Sequence, residues 1–226
     1  MVAGGGVASH RVPSRDEGTR NEVGVDHLVT RAVFLDRDGV LNHLVFNPST
    51  GEYESPHVPE DLCVIDGVVP SLRRLTNAGF ELFLVSNQPS YAKGKTSLEH
   101  IEAIHRRLDG VLTDNDVVFR EYFYCLHHPD GIEPDFSGPC RCRKPAPFFL
   151  LEAARKHGVD LFASWMVGDQ ATDVVCGQTA GCRTVLVMNE HSIAKREPSR
   201  PDVRVGSLSE AADRIIGGRD DRGKNG

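Results

Sequence analysis

Short apolar runs alternate with helix-length amphipathic stretches through most of this chain, and few folds accept that rhythm. The runs at residues 32–35, 80–85, 119–125, 165–167 and 184–187 read as strands. Between them, residues 68–78 read as a helix ending at Gly79, 97–112 as a second, and 148–157 as a third stopped by Gly158; a short helix precedes the last strand. Strands alternating with helices imply an α/β fold with a doubly wound parallel sheet. A chain of 226 residues suits one such domain, expected over 29–215. Residues 1–28 and 216–226 are rich in Gly, Ser and charge without periodicity, and are expected to be disordered tails. Two Pro-rich segments, 42–61 and 128–139, interrupt the rhythm as long loops of the kind that are usually functional or held by something.

In open α/β sheets ligands bind beyond the carboxyl ends of the strands, and four polar clusters fall there. The first apolar run ends on Asp36, Asp38 and Gly39, two carboxylates that can divide nucleophilic and proton-transfer work. A bare Asp-x-Asp-Gly is also ordinary turn chemistry, so its weight comes from the company it keeps. The second run ends on Ser86, Asn87 and Gln88, a hydroxyl and amides suited to holding a phosphoryl oxygen. Arg143 and Lys144 precede a helix, a point charge beside a bidentate fork. The fourth cluster, Gly168-Asp169-Gln170 with Asp173, adds two carboxylates; Asp36, Asp169 and a backbone carbonyl match the oxygen ligands that Mg²⁺ takes.

Six cysteines invite a disulfide reading, but Cys125, His127, Cys140 and Cys142 have the spacing of a closed tetrahedral Zn²⁺ site. His128 competes with His127 as the imidazole ligand. Cys63, Cys176 and Cys182 read as ordinary buried thiols. The formal net charge of -6 and the absence of a clustered basic face argue against nucleic acid as a partner. No run approaches the roughly 20 apolar residues of a membrane span. No membrane partner, a cytoplasmic location and a monomer are therefore expected.

In order and spacing, the four clusters resemble the haloacid dehalogenase superfamily of phosphohydrolases over about residues 32–190. That resemblance implies that Asp36 attacks phosphorus, Asp38 protonates the leaving alcohol and later activates water, and Ser86 and Lys144 bind phosphoryl oxygens. It implies Mg²⁺ on Asp36, the Asp38 carbonyl and Asp169, with Asp173 steadying a metal-bound water. The stretches FLDRDGVLN, VSNQ, YFYCLHHP, CRCRKP and MVGD look closest to the subfamily of heptose bisphosphate and histidinol-phosphate phosphatases, which carry a zinc loop and no large cap. Asn87, Gln88, Arg143 and Gln170 are the implied contacts to a small phosphorylated sugar. Two departures bear on the substrate: Pro89-Ser90 stands where heptose enzymes usually read Ser-Gly, and neutral Gln170 where they read Lys. Histidinol phosphate or another small phosphomonoester is the alternative substrate, and a catalytically dead binding module the alternative of another class.

Overall fold

A computed structural model describes residues 30–196 and 198–218. Its spine is β1 (Arg31–Leu35), buried at four of five positions and paired in parallel with β4 (Phe80–Asn87) on one side and β6 (Trp165–Gly168) on the other. Two-sided burial requires continuous apolar runs, and these three strands have them. Beyond them lie β5 (Glu121–Cys125), β7 (Arg183–Val187) and β8 (Val203–Val205), in the order β5-β4-β1-β6-β7-β8 with every pairing parallel. The chain moves outward from β1 through β4 to β5, then returns to β6 and continues the other way. The strand order therefore reverses between β1 and β6, where such sheets open a ligand crevice.

Successive side chains of β1 alternate between two cores. Val33 and Leu35 meet α1 (Val68–Asn77), α2 (Leu98–Thr113) and α5 (Leu208–Gly217) on one face. Ala32 and Phe34 meet α3 (Phe148–His157) and α4 (Ala171–Ala180) on the other. Helix ends follow from local chemistry: Ser97 Oγ accepts the His100 amide at the start of α2, and Gly158 takes a left-handed φ of 67° after α3.

Four expectations change. The 42–61 segment is only partly irregular, because β2 (Val45–Asn47) and β3 (Glu52–Glu54) form an antiparallel hairpin separate from the main sheet, with Phe46 against Tyr53. Strands of three residues are too short to show a period between Pro and Gly. β8 and α5 extend the fold past the last expected strand; Leu208, Ala211, Ala212 and Ile215 carry the helical spacing that marks α5. The boundary expected at 215 thus falls inside a helix that ends at Gly217, while residues 1–28 and 219–226 lie outside the described residues. Cys63 is exposed, since its neighbour Leu62 takes the inward position, whereas Cys176 and Cys182 are buried.

The segments after Asp38 and Ser86 hold the hairpin and a loop, and no separate cap. Among the described residues no helix is long and apolar enough to cross a membrane.

Candidate active site

β1 and β6 end side by side, and the Asp36 amide donates to the Val167 carbonyl (2.9 Å), fixing the first carboxylate beside the strand that delivers Asp169. Asp36, Asp169 and Asp173 are buried and each offers a carboxylate oxygen within 4.8 Å of the others. Lys144 Nζ lies 2.9 Å from Asp36 Oδ1 and 2.6 Å from Asp173 Oδ1, and donates to the Val85 carbonyl (2.7 Å). Both are short, charge-assisted contacts between the ammonium and a carboxylate. One cation among three buried carboxylates leaves an excess of negative charge where screening is weak.

The titration behaviour expresses that excess. Burial, then Asp36 and Asp173, raises the Asp169 carboxyl well above its ordinary range. Burial also raises Asp36, to about 6; Lys144 opposes the shift, and Asp173 and Asp38 add to it. Burial pushes the Lys144 ammonium down, but Asp173 and Asp36 outweigh it and hold the lysine charged. Both Asp169 oxygens are buried without a hydrogen-bond partner. Orphaned hard oxygens converging on one point are the donor set of a small divalent cation, and the residues fit Mg²⁺.

Two glycines permit this crowding. At Gly39, with φ of 81°, a Cβ would lie 2.3 Å from Asp169 Oδ2; at Gly168 it would lie 2.1 Å from Asp173 Cγ.

Asp38 is held by a network that the sequence reading did not foresee. Arg37 donates through Nε to Oδ1 (3.1 Å) and through NH2 to Oδ2 (3.2 Å), and Asn42 Nδ2 donates to Oδ1 (2.9 Å). Gln88 Nε2 donates to Asp38 Oδ2 (2.5 Å) and to Ser86 Oγ (3.0 Å), while its Oε1 accepts from Arg37 (2.8 Å). Gln88 is buried, and its side-chain amide is engaged by Asp38, Ser86 and Arg37. Arg37 is fully buried; a guanidinium between two aspartates, followed by a nearby Asn, was the available signal.

Asn87 orients the lysine: its Nδ2 donates to the Lys144 carbonyl (3.1 Å) and its Oδ1 accepts the Lys144 amide (3.0 Å). Gln170 donates its backbone amide to Asp173 Oδ2 (3.0 Å) at the start of α4. Asn87, Arg143, Lys144 and Gln170 line a cavity of about 310 Å³ together with Asp36, Asp38 and Asp173. Residues of the β2–β3 hairpin form part of its far wall.

The second cluster lies where β5 runs out into the 128–139 loop. Cys125, Cys140 and Cys142 have Sγ–Sγ separations of 3.4 to 3.6 Å, and His127 Nδ1 lies 3.7 Å from Cys142 Sγ and 4.0 Å from Cys125 Sγ. These are close to the edges of a tetrahedron with metal–sulfur bonds of about 2.3 Å. The Cys125 contact leads in pulling the Cys142 thiol down to about 6, against burial. His128 instead accepts the Asp130 amide (3.1 Å), so His127 is the imidazole in the cluster. Arg143 donates to the His127 carbonyl (3.1 Å), tying this loop to the residue before Lys144.

A parallel-sheet switch point carrying a strand-tip carboxylate, a second carboxylate two residues on, a buried lysine and an acidic pair defines a phosphatase of the aspartate-nucleophile class. The HAD-hydrolase-like family model matches residues 141–211. A D-glycero-beta-D-manno-heptose-1,7-bisphosphate 7-phosphatase of Yersinia pestis is 34% identical over 79% of this chain and 92% of that protein. The D-glycero-D-manno-heptose-1,7-bisphosphate 7-phosphatase of Thermosynechococcus vestitus is 41% identical over 69% and 78%. The crystal structure of the D,D-heptose 1,7-bisphosphate phosphatase of B. bronchiseptica, complexed with magnesium and phosphate, matches with a TM-score of 0.68 and 27% identity over 83% of this chain and 99% of that one. The chain belongs to the haloacid dehalogenase-like hydrolases, in the family of the heptose-1,7-bisphosphate 7-phosphatases.

Proposed function

We propose that this protein removes the 7-phosphate of D-glycero-D-manno-heptose 1,7-bisphosphate through a phosphorylated Asp36. The observation that carries this reading is the convergence of Asp36, Asp169, Asp173 and Lys144 at the β1/β6 switch point of a chain with such relatives. A carboxylate oxygen of Asp36 attacks phosphorus, an acyl-phosphate bond forms, and the bond to the sugar oxygen breaks as Asp38 gives that oxygen a proton. Asp38 then takes a proton from water, whose oxygen attacks the phosphorus and releases inorganic phosphate and free Asp36. Lys144 and the Ser86 hydroxyl hold phosphoryl oxygens during both steps. Gln88 joins Ser86 to Asp38, so the phosphate-holding hydroxyl and the proton donor keep a fixed separation.

Asp36, the Asp38 carbonyl and Asp169 would hold Mg²⁺ with Asp173 behind them; bound there, it shields the charge that otherwise keeps a carboxylate from approaching a phosphate. Zn²⁺ on Cys125, His127, Cys140 and Cys142 would be structural, bracing the loop that enters Arg143 and Lys144. Phosphate release measured over heptose bisphosphate anomers, histidinol phosphate and simple sugar phosphates tests the reading. Magnesium-dependent turnover is expected to be fastest on heptose bisphosphate; a preference for histidinol phosphate, or no release from any ester, would overturn it.

A further inference from the structure

A monophosphate seated at Asp36 and Lys144 would leave part of the cavity unused, and its lining carries further cations. Lys93, from the loop after β4, and Lys195, from the 3-10 turn Glu190–Lys195 after β7, line the same cavity as the catalytic carboxylates. They come from separate segments of the chain, about a hundred positions apart, and both face this one cavity. A third lysine there, Lys95, is already neutralised, its Nζ donating to both oxygens of Glu54 (2.6 and 2.7 Å) on the hairpin. The Lys93 ammonium has no hydrogen-bond or ion-pair partner among the described residues. Lys195 has only a long contact to the Tyr53 carbonyl (3.5 Å). With Arg143 beside them the rim stays positive even after Glu52, the unpaired carboxylate of the hairpin, is counted.

We propose that Lys93 and Lys195 bind the phosphate that is not hydrolysed, so that this cavity selects sugar bisphosphates over monophosphates. The inference rests on the reading of the substrate as a sugar bisphosphate and names the residues that recognise its second phosphate. Partial burial, and then repulsion from Lys95 and Arg143, with Glu54 opposing and Lys195 adding a little, holds the Lys93 ammonium below its ordinary range. A bound dianion relieves that repulsion, and each lysine meets it as a mobile point charge. Ser55 and Ser90, whose hydroxyls lie 3.1 Å apart on the cavity wall, sit where sugar hydroxyls would pass between the two phosphates. Gln170, uncharged beside the catalytic set, contributes hydrogen bonds without adding charge.

The test is steady-state kinetics of the full chain with Mg²⁺ on heptose 1,7-bisphosphate, heptose 7-phosphate and p-nitrophenyl phosphate, for the parent, Lys93→Ala, Lys195→Ala and Lys93→Arg. Both lysines are exposed, so neither substitution threatens folding. Each alanine variant is expected to raise KM for the bisphosphate by about tenfold or more, as loss of a charge-assisted contact does, with kcat and both monoester substrates changed by less than about twofold. Lys93→Arg should keep most of the bisphosphate preference. Equal losses on all three substrates, or unchanged KM for the bisphosphate in a parent that prefers it, would remove the clamp while leaving the proposed function standing. A parent that hydrolyses monoesters but not the bisphosphate would remove both.

Discussion

The two metal-capable clusters differ in what holds them in place. Asp36 and Asp169 stand at the tips of strands buried on both faces and Asp173 on the first turn of α4; Leu35 and Val167 anchor the two tips, and a backbone hydrogen bond locks β1 to β6. The thiol and imidazole groups stand on a single strand end and a loop containing Pro129, Gly131, Pro134, Gly138 and Pro139, with His127 and Cys140 only partly buried. In the first case the scaffold forces like charges together, and a metal relieves the strain. In the second a metal would supply the order that a segment so rich in Pro and Gly cannot supply for itself. The catalytic centre should therefore tolerate loss of its ion or of one charge without unfolding, and the loop should not.

The most severe test of that contrast is Asp36→Asn. Turnover should fall on the order of 10⁴-fold or more, since an amide offers no anionic oxygen to phosphorus. The unfolding temperature should hold or rise, because one of several crowded buried charges has gone. A large drop in thermal stability would show that the carboxylate contributes to the fold.

Cys142→Ser probes the other side with a smaller effect on rate. Metal analysis should find about one Zn²⁺ per chain in the parent and clearly less in the variant, with kcat/KM down roughly tenfold and faster proteolysis within 128–139. Full zinc retention, or slow proteolysis after zinc is lost, would make the loop self-supporting and erase the contrast.

The smallest effect is a pH dependence. Asp36 and Asp169 have folded-state pKa values above their unfolded ones. The contribution of Asp36 to stability is therefore present at low pH, near the ordinary carboxylate value of 3.8, and lost as pH rises through about 6, and that of Asp169 is lost in the same direction. Mg²⁺ needs the deprotonated carboxylates, so melting curves should show it raising the unfolding temperature by a few degrees at about pH 7.5 and hardly at about pH 5. Equal shifts at both pH values would mean that the site is not under electrostatic strain.

Most of the sheet was legible because double burial writes itself as apolar runs, and the reactive groups were legible because each run ends on them. The Cys/His cluster was legible from spacing, but spacing alone left His127 and His128 open, and the geometry puts His127 in the cluster. Arg37 and Gln88 were not, since a charged or amide side chain is expected outside and only the fold shows that Asp38 draws them in. Lys93 and Lys195 were equally silent, because nothing local marks two distant surface lysines as sharing a wall. The hairpin escaped because three-residue strands carry no readable period, and Cys63 because one residue's facing depends on its neighbour.

That hairpin has a consequence for how such a protein can change. β2 and β3 hydrogen-bond to each other and not to the six-stranded sheet, and they are fastened at the rim by Tyr53 stacked on His191 and by Glu54 gripping Lys95. Lengthening, shortening or exchanging this segment should leave the strand tips undisturbed, so a cavity wall can be rewritten independently of the carboxylate centre. Directed evolution toward new sugar phosphates has its natural starting library at residues 45–55, with Gly39 and Gly168 left alone.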